Sequence, residues 1–277
     1  MLQTLRTIFQ SNIKSLEILY ILENIKPTAR IMVNEDEKDK IFNFFKEKEL
    51  NYVISDFKVI KQDKDKAYSD KGIKVPLNSP EKGYFFVYVS KDSEKTKAAK
   101  KLENENKHKE LGILLGYPEC CAEFFEKHFK EESKKQNDFT LATLKNSEGF
   151  EFPFYTNIAS RHFDLTLLNH FPCNFNCKHS IELAKKNLEV IKKYDEETIK
   201  IIEGMLKGAV FYTGNGVYLL RQPTLEHNRL FYKGIMGTKN KQLYESLKNA
   251  EYLEIVKNNR IILNDLEMKN IGIMLFS

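Results

Sequence analysis

The chain has 277 residues and a mass of 32.5 kDa, enough for a substantial core and two or three structural units without disulfide staples. With 42% hydrophobic and 30% charged residues it falls in the ordinary globular class, which excludes wholesale disorder. The net charge of +5 is modest and uneven: residues 117–200, which hold every cysteine, are slightly acidic and both flanks are basic, so a nucleic-acid backbone would have to be met by the flanks.

Lysine supplies nearly all the basic charge, with many Glu and Ile, a bias that fits an AT-rich genome or a heat-adapted surface and is silent on function. Residues Met1 to Arg6 show no basic n-region, apolar h-region or small-residue cleavage site, so no signal peptide is expected. No apolar run approaches the roughly 20 residues needed to span a bilayer. A reducing cytoplasm is the expected location, and there clustered cysteines bind metal or do chemistry more often than they form structural bridges.

In chain order, Leu5, Ile8, Phe9, Ile13, Leu16, Leu19 and Tyr20 recur at helical spacing, predicting one amphipathic helix from Leu2 to Glu23 that Pro27 closes. Its apolar face suits its own domain or a protein partner. A strand over 29–33, a helix over 35–49 and a strand over 52–60 follow. Next comes a polar loop with Asp63, Asp65, Asp70 and Gly72; it lacks the spacing and terminal Glu of a calcium loop and reads as a solvated turn.

The strand Tyr84 to Val89 completes a small α/β unit. A charged helix from Asp92 to His108 leads into the Gly-punctuated apolar segment Leu111 to Gly116. Helical pattern resumes at Pro118 and again from Pro172 to Tyr194, with a mixed, aromatic-rich stretch over 137–169 between them. After Gly204 the period changes to two: 209–212, a Gly214-Asn215-Gly216 turn, 217–220, and a further pair over 252–256 and 260–263. The fold class is therefore α+β, with an N-terminal helix plus α/β unit over 1–103, a helical segment carrying both cysteine pairs over 104–203, and a β-rich unit with one short helix over 204–277.

All four cysteines fall in two clusters, Gly116-Tyr117-Pro118-Glu119-Cys120-Cys121 and His170-Phe171-Pro172-Cys173-Asn174-Phe175-Asn176-Cys177-Lys178-His179. Each follows a proline, the residue favoured at a first helical position, which predicts that each pair sits in a first turn where free N–H groups and the helix dipole favour a thiolate. Helical phase aligns Cys173, Cys177, Ile181, Ala184, Leu188 and Ile191 on one stripe and Cys121 with Phe124, Phe125 and His128. Cys120 is rotated off its stripe, so three sulfurs converge easily and the fourth needs distortion.

A metal ion could take Cys121, Cys173 and Cys177 with Cys120 or a histidine such as His170 or His179, since zinc accepts four cysteines or three with one histidine. A cubane iron–sulfur cluster wants four thiolates. Beside these stand two other readings: redox or nucleophilic thiols, and small buried hydrophobes in core helices. His108 and His128 read as surface or packing residues, and His162, within Ser160-Arg161-His162-Phe163-Asp164, as structural or acid–base. In the C-terminal segment Tyr212, Tyr218, Arg221, Arg229 and Tyr232 mix aromatic and basic character, which suits single-stranded nucleic acid and an ordinary β core alike.

The runs LGILLGYPECCAEFF (Leu111 to Phe125) and HFPCNFNCKHSIELA (His170 to Ala184) resemble an uncharacterised domain family of methanogenic and related archaea, through the patterns LLGYPxCC and HxPCxxxCxxS. The resemblance implies a common sulfur site and no particular substrate. The paired cysteines are also superficially similar to the cysteine-rich domain of heterodisulfide reductases, but Ala122 replaces its glycine, the later spacing is CxxxC, and no earlier cysteine precedes the pair.

Overall fold

The structure is a computed structural model that describes residues 1–61, 72–135, 137–214, 216–237 and 241–277. It is a mixed α+β fold. Internal contacts divide the chain into two compact units, one of residues 1–138 with 185–196 and the other of 139–184 with 197–277, so the stretch 104–203 is shared between them. Among the described residues no helix is long and apolar enough to cross a membrane.

The first unit opens with two helices, α1 (Leu2–Phe9) and α2 (Asn12–Leu22), where the periodicity predicts one. The break has a local cause: Gln10 takes a left-handed φ of 48°, and the Ser11 hydroxyl then caps α2 by accepting from the Lys14 N–H at 3.3 Å. Leu2, Leu5 and Phe9 of α1 are buried, and α2 is buried continuously from Ser15 to Ile21, so the apolar faces of both helices are covered within the chain. Phe9 meets Phe44 and Phe45 of α3 (Lys38–Glu47) at ring separations of 5.8 and 6.0 Å.

Strands β1 (Ala29–Asn34), β2 (Asn51–Lys61), β3 (Gly72–Pro76) and β4 (Tyr84–Ser90) form a four-stranded sheet in the order β1-β4-β2-β3, with every neighbour antiparallel. Lys58, almost fully buried in β2, donates to the Ser79 and Glu81 carbonyls at 2.7 and 2.9 Å and to Glu35, fixing the turn before β4. Asp63, Asp65 and Asp70 lie outside the described residues; Gly72 begins β3, a strand that the sequence pattern does not announce. Three helices follow: α4 (Ser93–Asn104), α5 (His108–Leu114) and α6 (Glu119–Glu132). The glycine-punctuated apolar segment is thus mostly helix, and Tyr88 packs there with Ala99, Leu111 and Leu115.

In the second unit, α7 (Thr140–Lys145) and the short β5 (Glu151–Phe152) precede two helices, α8 (Lys178–Tyr194), whose later residues group with the first unit, and α9 (Glu196–Leu206). The strands are β6 (Gly208–Thr213), β7 (Gly216–Arg221), β8 (Thr224–Glu226), β9 (Arg229–Phe231) and β10 (Gly234–Gly237). After α10 (Lys241–Asn249) come β11 (Tyr252–Lys257), β12 (Arg260–Leu263), β13 (Leu266–Lys269) and β14 (Gly272–Phe276). They build two five-stranded sheets, β10-β7-β6-β14-β5 and β13-β12-β11-β9-β8. One apolar core serves both: Phe211, Tyr218 and Ile273 of the first sheet with Leu230, Leu253, Ile255 and Ile261 of the second.

Candidate metal centre

Pro118 stands at the N-cap of α6, and its carbonyl accepts the Cys121 and Ala122 N–H groups at 2.9 and 3.0 Å. Cys120 and Cys121 therefore occupy the first helical turn, as the proline predicts. Behind them Gly116 takes a φ of +81°, and a side chain there would put its Cβ 2.8 Å from Pro27 Cδ. Tyr117 receives the Lys26 ammonium 4.7 Å from its ring centre, and Lys26 in turn pairs with the buried Glu17 at 3.0 Å. The Gly-Tyr-Pro turn is held from two sides before the sulfurs begin.

The second cluster is not a helix start at Pro172: α8 begins at Lys178, and Pro172 to Cys177 form a turn. Asparagine chemistry explains the delay, because the Asn174 side chain accepts the Asn176 N–H at 2.9 Å and the Asn174 carbonyl accepts the Cys177 N–H at 3.1 Å, replacing helical bonds. The Cys177 carbonyl then takes the Ile181 N–H at 3.0 Å and opens the helix. Cys173 lies before the helix, free of the stripe that helical phase assigned to it.

Side chains from outside the cluster fix this turn. Thr143 donates to the Pro172 carbonyl at 2.9 Å, Asn146 to the Cys173 carbonyl at 2.6 Å, and Thr156 to the Phe175 carbonyl at 2.7 Å, while the Ser147 hydroxyl accepts the Phe175 N–H at 2.9 Å. Phe175 is fully buried between Phe152 and Phe276, with ring separations of 4.9 and 5.5 Å. These hydroxyl and amide residues carry no periodic signal, and the sequence offers no way to tie them to the cysteines.

The four thiol sulfurs of Cys120, Cys121, Cys173 and Cys177 all lie within 4.8 Å of one another. Cys120 and Cys121 stand 3.8 Å apart, far beyond a disulfide bond, and none of the four is joined in a disulfide. Cys120 belongs to the group with the other three, and Cys173, which precedes α8, is off the stripe from which its approach was judged. Cys121 and Cys177 are buried, whereas Cys120 and Cys173 are partly exposed. The Asn174 amide donates to Cys173 Sγ at 3.6 Å. Four soft sulfur donors at this spacing are compatible with a bound metal ion.

His170 is buried, with its Nε2 2.9 Å from Ser180 Oγ, and it is not a member of the four-sulfur group. His179 is exposed on α8. His108 packs on Phe129 with ring centres 3.9 Å apart, His128 on Phe124 at 4.7 Å, and His162 approaches Tyr212 edge-on at 6.2 Å. In the C-terminal unit Tyr212 and Tyr218 lie in the core, and the Tyr232 hydroxyl donates to the Leu247 carbonyl at 2.5 Å. Arg221 Nη1 contacts Met205 Sδ at 3.3 Å, and Arg229 covers the Tyr252 ring at 4.6 Å.

No known family model matches the chain, and no curated protein or solved structure matches it.

Proposed function

We propose that this is a zinc-binding protein of the reducing cytoplasm whose four cysteines hold one ion. The supporting observation is the 4.8 Å limit on every sulfur–sulfur separation. A tetrahedral zinc with zinc–sulfur bonds of about 2.3 Å has edges of about 3.8 Å, so closing this group around one ion needs movements of roughly 1 Å at most. In a cubane cluster each thiolate binds a different iron at a different corner, and the sulfurs must stand farther apart than around a shared ion. The spacing thus favours a single ion over a cluster. Four protein ligands complete the coordination of zinc, which fits a structural centre better than a catalytic one with an open position.

Metal analysis and the visible spectrum of protein purified without oxygen test the reading together. About one zinc per chain and no visible colour are expected. A brown, iron-containing protein would replace the single ion with a cluster, and near-absence of both metals would overturn metal binding altogether.

A second reading is favoured by the partial exposure of Cys120 and Cys173 and by the amide bonded to Cys173 Sγ: in metal-free protein these thiols act as nucleophiles, attacking a small-molecule disulfide that is reduced to two thiols as they join in a reversible disulfide. It requires that metal-free protein stay folded and that a thiol reagent modify Cys120 or Cys173 much faster than Cys121 and Cys177. Equal, slow modification of all four would remove it.

A further inference from the structure

The second cysteine motif begins and ends on residues that are not cysteines, and these meet each other. His170 Nε2 lies 2.9 Å from Ser180 Oγ, both residues are buried, and the link spans ten residues that include Cys173 and Cys177. A side-chain bond therefore closes the base of the loop that presents two of the four sulfurs. Its two anchors are themselves fixed. Ser180 stands in the first turn of α8, and Arg161 holds the other side, its Nη2 donating to the His170 carbonyl at 3.4 Å, its Nε to the Ile158 carbonyl at 3.0 Å, and its guanidinium lying 4.1 Å from the centre of the Phe171 ring.

We propose that His170 acts as a positioning residue: with Ser180 it forms a clasp that sets the Cys173–Cys177 loop in its metal-binding shape before any ion arrives. The proposal rests on the reading of the four cysteines as a metal centre. Its physical basis is preorganisation. A loop left open must lose backbone freedom, at about 1–2 kcal/mol for each residue fixed, when it closes around an ion. A loop already closed in the folded protein spends none of its binding energy on that ordering. Removing either partner also takes a hydrogen bond from a buried polar group, which favours rearrangement of the loop.

Anaerobic titration with cobalt(II) separates the possible outcomes, because its visible bands report the number of sulfur ligands while the titration midpoint reports affinity. In the wild-type chain a spectrum of four-sulfur tetrahedral cobalt is expected. Ser180→Ala and His170→Ala should bind cobalt about 10-fold more weakly or worse, in the range usual for residues that orient metal ligands, with band positions unchanged. His170→Gln, which carries an amide close to the position of Nε2, should recover most of the affinity. Circular dichroism of the metal-free variants checks folding, and if His170→Ala fails to fold, Ser180→Ala and His170→Gln still decide the matter. Bands shifted by loss of a ligand in a His170 variant would make it a ligand and overturn the proposal. Unchanged affinity in Ser180→Ala would overturn it as well. If the wild-type chain binds no cobalt, the metal centre itself fails and the clasp has nothing to position.

Discussion

Gly116 shows how one residue can govern the site without touching it. Its φ of +81° costs most residues about 1–2 kcal/mol, and a methyl group there would meet the Pro27 ring at 2.8 Å. Gly116→Ala is therefore expected to lower stability by about 2 kcal/mol or more, read from denaturant midpoints, and to weaken metal binding because the displaced turn leads straight into Cys120. His108 offers a test by pH. Burial against Phe125 and Phe129 pushes its pKa below 6.5, and the Glu103 carboxylate only partly opposes this. The unfolded chain then takes up the proton first, so the contribution of His108 is present above pH 6.5 and is lost as pH falls through the lower folded value. His108→Phe should show a smaller loss of thermal stability than the wild-type chain between neutral pH and about pH 5, and an equal loss would show that the imidazole is not responsible. Both residues stand in plain view in the sequence, yet the first needs a backbone angle and the second a set of neighbours before either means anything.

Local hydrogen bonding decides where elements begin, and that is where periodicity reads this chain least well. The apolar spacing over Leu2 to Tyr20 is real, but Ser11 caps a new helix in its middle, which hydrophobic pattern does not register. Ser11→Ala is expected to cost about 1 kcal/mol, measured by chemical unfolding, with α2 fraying first. A change below about 0.3 kcal/mol would mean that burial alone sets the start of α2. The same competition moves the start of α8 from Pro172 to Lys178, because the Asn174 side chain accepts the Asn176 N–H ahead of it. In contrast, β1, β2, β4, β6, β7, β11 and β12 fall close to where the pattern predicts them, because alternation or continuous apolar runs there coincide with burial. β3 is hidden, since Ile73, Val75 and Pro76 lie at a sheet edge where little burial disciplines the sequence. The four cysteines were legible as one shared sulfur site from their clustering alone; the turn that replaces helix before α8, and that takes Cys173 off the helical stripe, was not.

At the scale of the whole molecule, a ligand that binds only the folded chain stabilises it by mass action, by about 2.7 kcal/mol when the free ion stands at 100 times its dissociation constant. A strong zinc chelator is accordingly expected to lower the thermal midpoint, and a stoichiometric return of zinc to restore it. A midpoint indifferent to both treatments would mean that the fold carries its stability without the ion. The sulfur group has one more property that follows from its composition. All its donors are soft, its separations reach 4.8 Å against the roughly 3.8 Å edge that zinc prefers, and two of its members face solvent. Such a quartet is roomier than zinc requires and has no hard oxygen ligand with which to discriminate against heavier thiophiles. Cadmium, with its longer bonds to sulfur, would settle into it with less contraction than zinc, and a competition titration of the two ions is expected to find cadmium the tighter bound.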